Sequence, residues 1–279
     1  MEARQGALQR ERNVSKSLRR HLAVARQYVH IGLVRKSQFR WEFVNQVSMD
    51  VLFYVAQILT FGIIYGMAGS GQLAGWTYPE TLVVLGLVFV HDGFMMTWLG
   101  QGWRFGRDLK DGNLDSLRVR PGHPVFLYFF QRFSPEGCVN LALGGGIFFW
   151  ACAHADVLDG RALWSIPWAL MLAAYAQTVF SVMTSLTEFY FLNSDLGRLL
   201  STSVSYMAER PLDIYTRRLR QMLLFALPAG AMSYVPACLI LRRIDAVAGL
   251  GFTVFYLAMG SAIISFWRWS FRRYESALS

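Results

Sequence analysis

Lysine is almost missing from this 279-residue chain: only Lys16, Lys36 and Lys110 occur, and none follows a glycine. A Walker A loop needs its Gly-Lys pair to cradle phosphates, so that nucleotide-binding device is excluded. Cysteine is scarce as well. Cys138, Cys152 and Cys238 lie in apolar stretches and form no Cys-x-x-Cys pair. They read as small buried hydrophobes and imply no disulfide framework. The five histidines show neither a His-Glu-x-x-His run nor metal-ligand spacing. Gly69-Ser70-Gly71 reads as a turn, so hydrolase chemistry finds no support. Charge is thin: 16% of residues carry it, against roughly 25% in soluble domains.

What the chain does have is apolar side chain, 54% of all residues, with a mean hydropathy of +0.32. A soluble domain cannot bury that much and still cover itself with polar surface. The fold class read from this is all-α, a polytopic membrane protein. A span needs about 20 apolar residues. Five stretches qualify: Val47–Met67, Leu82–Gln101, Cys138–His154, Ser165–Phe191 and Ala246–Trp267. A sixth, Leu223–Leu241, is interrupted by Pro228 and Pro236, and reads as a kinked span or a re-entrant pair of half-helices. The nine tryptophans fall near proposed span ends, where an amphipathic ring prefers the interface. Six transmembrane helices divide the chain into a leader 1–46, a transmembrane domain 47–267 and a tail 268–279.

The net charge of +9 then acquires a location. With Leu223–Leu241 as a span, 24 of the 27 lysines and arginines fall on one side. The positive-inside rule puts both termini in the cytoplasm and makes the excess a topology signal, with no nucleic-acid partner implied. Arg4, Arg10 and Arg12 precede any long apolar run, so no signal peptide is expected. In the leader, Val14, Leu18, Leu22, Ala25, Val29 and Leu33 recur at steps of three or four. This predicts an amphipathic helix on the inner membrane surface, its basic side chains near anionic lipid.

Between the second and third spans, residues 102–124 read GWRFGRDLKDGNLDSLRVRPGHP. Leu109, Leu114 and Leu117 supply an apolar side, and charges of both signs fill the gaps. Gly112 should break the helix and Pro121 should end it. The spacing predicts a short mixed-charge helical hairpin suited to docking on a soluble partner.

The run from Leu109 to Pro121, LKDGNLDSLRVRP, resembles the signature loop of a bacterial family of ABC transporter permeases of the type-2 exporter class. Two further matches follow in family order: Arg210-Pro211-Leu212-Asp213-Ile214-Tyr215, and Leu227-Pro228-Ala229 with Ser233-Tyr234-Val235-Pro236-Ala237. Arg210 departs from the tyrosine common there. The resemblance implies a permease subunit of the bacterial inner membrane that pairs with a second permease, as a homo- or heterodimer. It implies separate ATP-binding subunits that hold ATP and Mg, with no cofactor bound by this chain and no enzymatic activity of its own. Loop 102–124 would be the coupling element, carried by Leu109, Asp111, Gly112, Leu114, Asp115, Leu117, Arg120 and Pro121. The leader helix would be the connecting helix of the class. By the same analogy Asp195–Glu209 is a short fifth span, and the segment holding Pro211, Pro228 and Pro236 is re-entrant before the last helix. The basic split would then be 20 inside and 7 outside. Charge counting favours the first topology and the resemblance favours the second.

Four ionisable groups fall within or at the edge of spans: Asp50, His91, Asp92 and Glu188. Charges in lipid are costly, so each is expected to face protein, water or an interface, and they form a candidate transport path. Interhelical hydrogen bonding is the plainer role. Gly62-x-x-x-Gly66 and Gly144-Gly145-Gly146 offer close helix approach, most simply within the subunit. A second functional class would be an ion- or proton-coupled transporter or channel using Asp50, Asp92 and Glu188, but no inverted repeat accompanies it. An intramembrane enzyme lacks any nucleophile–base constellation.

Overall fold

Apolar length dictates the helices. The computed structural model describes residues 26–34, 40–118, 123–130, 133–191 and 196–273. Residues 26–34 are helical (α1), and α2 (Arg40–Met67) follows. A two-stranded hairpin, β1 (Gln72–Leu73) and β2 (Trp76–Thr77), leads into α3 (Tyr78–Phe94). That helix continues through a π turn and a 3-10 turn into α4 (Phe105–Lys110). Then come α5 (Asp115–Arg118), α6 (Pro124–Phe129), α7 (Pro135–His154) and α8 (Ala162–Tyr190). The last part holds α9 (Leu196–Ala208), α10 (Arg217–Gln221), α11 (Ala229–Met232), α12 (Tyr234–Ile240) and α13 (Ala246–Arg273).

Five of these stretches are long and apolar enough to cross a membrane: 41–67, 78–99, 135–154, 162–190 and 246–273. They coincide with the five uninterrupted spans read from the sequence. The sixth place is different. The stretch 223–241 is not one helix but a π turn followed by α11 and α12, broken at Pro228 and again at Ser233. Helix α9 has 13 residues. At 1.5 Å per residue it spans about 20 Å, short of the ~30 Å hydrocarbon core.

Helix α3 is the centre of the bundle, and glycine decides how closely α7 approaches it. A Cβ at Gly86 would meet Phe148 Cα at 2.6 Å, and one at Gly144 would meet Phe89 C at 2.6 Å. Gly93 meets the Leu141 backbone and Gly137 the Thr97 backbone in the same way. The two backbones therefore touch along the whole antiparallel seam, gaining dispersion contact that larger residues would block. Gly144 belongs to this seam, as the small-residue reading expected. A Cβ at Gly66, Gly145 or Gly146 would meet nothing within 4 Å, and these three take no part in it.

Helix α2 buries a single stripe, Tyr54, Phe61 and Tyr65, and exposes Leu52, Leu59 and Ile63 on the other side. Helix α13 is similar, with Val247, Leu250 and Val254 outward. Exposed apolar faces of that length suit lipid rather than water.

The hairpin and the last helices meet at Trp76, which is fully buried. Its indole N–H donates to Asp213 Oδ2 at 2.9 Å, and the Arg243 guanidinium lies 4.0 Å over its ring. Arg243 also donates to Gly75 O and Glu80. Trp76 and Trp267 thus depart from the expected placement at lipid interfaces; both are wholly inside protein. Trp41, Trp150, Trp164 and Trp269 are exposed as expected. Cys152 and Cys238 are buried, but Cys138 is exposed on α7 and corrects the reading of all three as interior.

Of the predicted leader helix, residues up to 25 lie outside the described ones. Within α1, Val29 is half-buried and Leu33 exposed, and Gly32 abuts the Phe133 carbonyl.

Candidate functional site

The loop after α3 is a compact hairpin, and its sequence explains its shape. Gly112 adopts φ +69°, a left-handed turn that glycine reaches without a Cβ penalty, and it separates α4 from α5. Asp108 ties the turn. It accepts from the Tyr128 hydroxyl at 2.9 Å and from Asn113 Nδ2 at 3.3 Å, and its carbonyl accepts the Asn113 N–H at 2.9 Å. Asp115 is half-buried, and its N–H reaches Gly112 O at 3.1 Å.

The leucines do not face outward. Leu109 and Leu114 are each 1% exposed and Leu117 5%. They pack with Phe105, Phe129 and Trp267 in one cluster, and Phe105 meets Tyr128 edge-on at 5.0 Å. This corrects the expectation that they dock on a partner. Water drives them into the chain's own core because α6 and α13 offer an apolar wall there. The outward side chains are Arg107, Lys110, Asp111, Asn113 and Ser116. Arg120 and Pro121 lie outside the described residues.

The polar residues of the spans fall into two groups. In the first, Asp50 accepts from Asn140 Nδ2 at 2.6 Å and from Gln46 Nε2 at 3.2 Å. Asn140 Nδ2 also lies 3.2 Å from Met96 Sδ. One turn along α2, Tyr54 stacks on Phe89 at 3.9 Å and feels the charges of both Asp50 and Asp92. Further along, Gln57 Nε2 donates to Glu209 Oε2 at 2.9 Å. Asp92, Arg210 and His91 all lie near enough to act electrostatically on Glu209. His91 is 1% exposed; its Nε2 is 3.2 Å from Asp92 Oδ1, yet neither ring nitrogen makes a hydrogen bond of good geometry. Asp50, His91 and Asp92 therefore share one polar face on α2 and α3. Glu209 and Gln57 belong to it and were not singled out from the sequence. A glutamate closing a weakly apolar stretch was the only local signal.

Glu188 is not part of that face. It sits at the end of α8 beside the loop, where Oε1 accepts the Gly197 N–H at 3.2 Å. With Arg107, Lys110, Arg198 and Ser201 it lines a cavity of about 490 Å³ between α4, α8 and α9.

Of the three prolines assigned to the re-entrant segment, Pro211 opens a 3-10 turn, Pro228 precedes α11, and Pro236 is buried in α12. The residue that organises them is Asp213. Besides Trp76 it accepts from Arg220 Nη1 at 2.5 Å and from the Tyr234 hydroxyl at 2.8 Å. At the same end of the bundle, Asp159 pairs with Arg242. Desolvation raises its pKa, but the Arg242 guanidinium and the Arg161 and Ala162 N–H groups together outweigh it and hold the carboxyl below the ordinary range. Among the described residues, no cluster of three histidine, cysteine or carboxylate side chains is arranged to hold a metal.

No curated protein and no solved structure matches the chain. The family model for ABC-2 family transporter proteins matches residues 51–277, which include every long helix after the first turns of α2 together with the loop and the Asp213 turn. An all-helical, multi-pass membrane architecture accompanies that match. The chain belongs to the ABC-2 family of transporter proteins and is a permease subunit of an ABC transporter.

Proposed function

We propose that this permease works as an exporter, driven by ATP hydrolysed on separate subunits that grip residues 102–124. It would pair with a second permease, have six spans and keep both termini in the cytoplasm of a bacterial inner membrane. The observation that carries the reading is the hairpin itself. Its inner side is cemented to α6 and α13 by Leu109, Leu114, Leu117 and Phe105, while its outer side is wholly polar. A lever needs both properties: a rigid root and a face free to bind.

The fifth span in this reading is α9, whose short length would require the bilayer to thin around it, and 211–241 is re-entrant. Supporting it, both ends of that segment converge on Trp76, through Asp213 at the start and Arg243 just past its end. The substrate path would run along the face of Asp50, Tyr54, Gln57, His91, Asp92 and Glu209. Glu188 is assigned to the loop instead, which removes one of the three carboxylates on which an ion-coupled carrier would depend.

The test is co-purification of the ATP-binding subunit. Reversing the outer face with Lys110→Glu and Asp111→Arg should lower its recovery about tenfold while the permease still inserts, as expected for charge reversal at a contact centre. Recovery at the wild-type level would mean that the ATPase is gripped elsewhere.

A further inference from the structure

The cavity beside Glu188 has a charge arrangement of which the coupling reading uses only Lys110. Glu188 is 7% exposed and no cation lies within 4.0 Å of it among the described residues. Its Oε1 takes the Gly197 N–H, whereas Oε2 lies beside Gly106 on the cavity side. Room for the carboxylate is made by glycine on both sides. A Cβ at Gly106 would come within 2.6 Å of Oε2, and one at Gly197 within 3.0 Å of Oε1. A carboxylate this little exposed, facing a cavity with no cation beside it, favours a cationic group entering there. Arg107, Lys110 and Arg198 are exposed at the mouth. The negative group is thus deep and the positive groups are shallow.

We propose that this cavity binds the headgroup of an aminophospholipid, with the ammonium seated on Glu188 and the phosphate held at the mouth by Arg107 and Lys110. A plain anion would meet the Glu188 charge at the floor, and a plain cation would meet the like charges of Arg107 and Lys110 on entry. A zwitterion whose ammonium leads and whose phosphate trails satisfies both. The lipid is favoured over a soluble amine phosphate by the apolar exposure of the helix that walls the cavity. On α9, Leu196, Leu199 and Leu200 are exposed, an apolar surface that suits acyl chains around the helix. The site lies at the end of the bundle that carries the hairpin, so the lipid would belong to the same leaflet as the ATPase. Because α4 forms one wall and α9 another, a bound headgroup would brace the hairpin against the last part of the chain.

Native mass spectrometry of the full-length protein in mild detergent tests this with three probes: phosphatidylethanolamine, phosphatidylglycerol and soluble O-phosphoethanolamine. Wild type should retain phosphatidylethanolamine about tenfold over phosphatidylglycerol, the size of one hydrogen bond between charged groups. Glu188→Gln should erase that preference, and Arg107→Glu with Lys110→Glu should reduce retention of both lipids. The soluble probe should displace neither at equal concentration. Equal retention of the two lipids by wild type overturns the ammonium subsite without recourse to any variant. Unchanged retention by the exposed double variant, whose substitutions touch no core residue, overturns the phosphate subsite. Displacement by O-phosphoethanolamine would make the ligand a soluble amine phosphate and overturn the lipid.

Discussion

Glu188 and Glu209 are both buried glutamates, yet they sit in different surroundings. Glu209 closes α9 against Gln57 and sits among Asp92, His91 and Arg210. Glu188 sits under the hairpin with Gly106 and Gly197. The sequence placed Glu188 with Asp50 and Asp92 because each is a rare charge in an apolar run. It could not pair Glu209 with Gln57, since 152 residues separate them and no local pattern links the two. If the Asp92–Glu209 face lies on the substrate path, Asp92→Asn with Glu209→Gln should lower ATP turnover of the reconstituted complex about tenfold. That is the scale of one lost interaction with a charged group. Assembly with the ATP-binding subunit should persist. Normal turnover would leave these carboxyls a packing role only.

At the scale of elements, the seam between α3 and α7 and the hairpin show two ways in which small features set geometry. The seam depends on particular glycines rather than on glycine content. Gly86→Val should force the backbones of α3 and α7 apart, costing about 3 kcal/mol as overpacking without a rotamer escape. Gly145→Ala and Gly146→Ala on the same helix should be neutral, since nothing lies within 4 Å of either position. Melting temperatures of the detergent-purified variants separate the two cases, and equal losses at Gly86 and Gly145 would refute the seam. In the hairpin, the helix–turn–helix pattern and the Gly112 break were legible, because turn chemistry is local. The direction of the leucines was not. An apolar side looks the same in sequence whether it meets a partner or the protein's own α6 and α13. Leu114→Asp would therefore unfold the hairpin by burying an unpaired charge, and it would not report on docking.

For the whole molecule, the contact that bears on topology is at Trp76. Asp213 and Arg243 both converge there, so the chain between them leaves one end of the bundle and returns to it. Arg220, held on Asp213, accompanies that end. Charge counting alone had assigned Arg210, Arg217, Arg218 and Arg220 to the other side. Moving them leaves 20 basic residues against 7, which still satisfies the positive-inside rule. The rule thus bounds orientation without choosing between the two topologies. Arg218→Cys settles it. In intact cells, an impermeant thiol reagent should label this exposed position to near completion, and Cys152 and Cys238 stay silent because they are buried. Cys138, which is exposed, is replaced by serine as the background. Labelling only after the membrane is opened would return the segment to the cytoplasmic side and make 223–241 a span.

Composition and apolar run length by themselves determined the membrane class, five helices and the position of the hairpin. These are sums over neighbouring residues, and lipid solvation acts on each segment almost independently of the rest. The motifs from Leu109 to Pro121 and around Pro211–Asp213 likewise placed the chain in its family. Only the tertiary structure decided which side of the hairpin is inside, that Glu188 sits beside the loop while Glu209 lies near Asp92, and that Trp76 is buried between Asp213 and Arg243. Each of those outcomes depends on partners far along the chain. Burial and pairing energies belong to the contact, and no single segment carries the information about what it will touch.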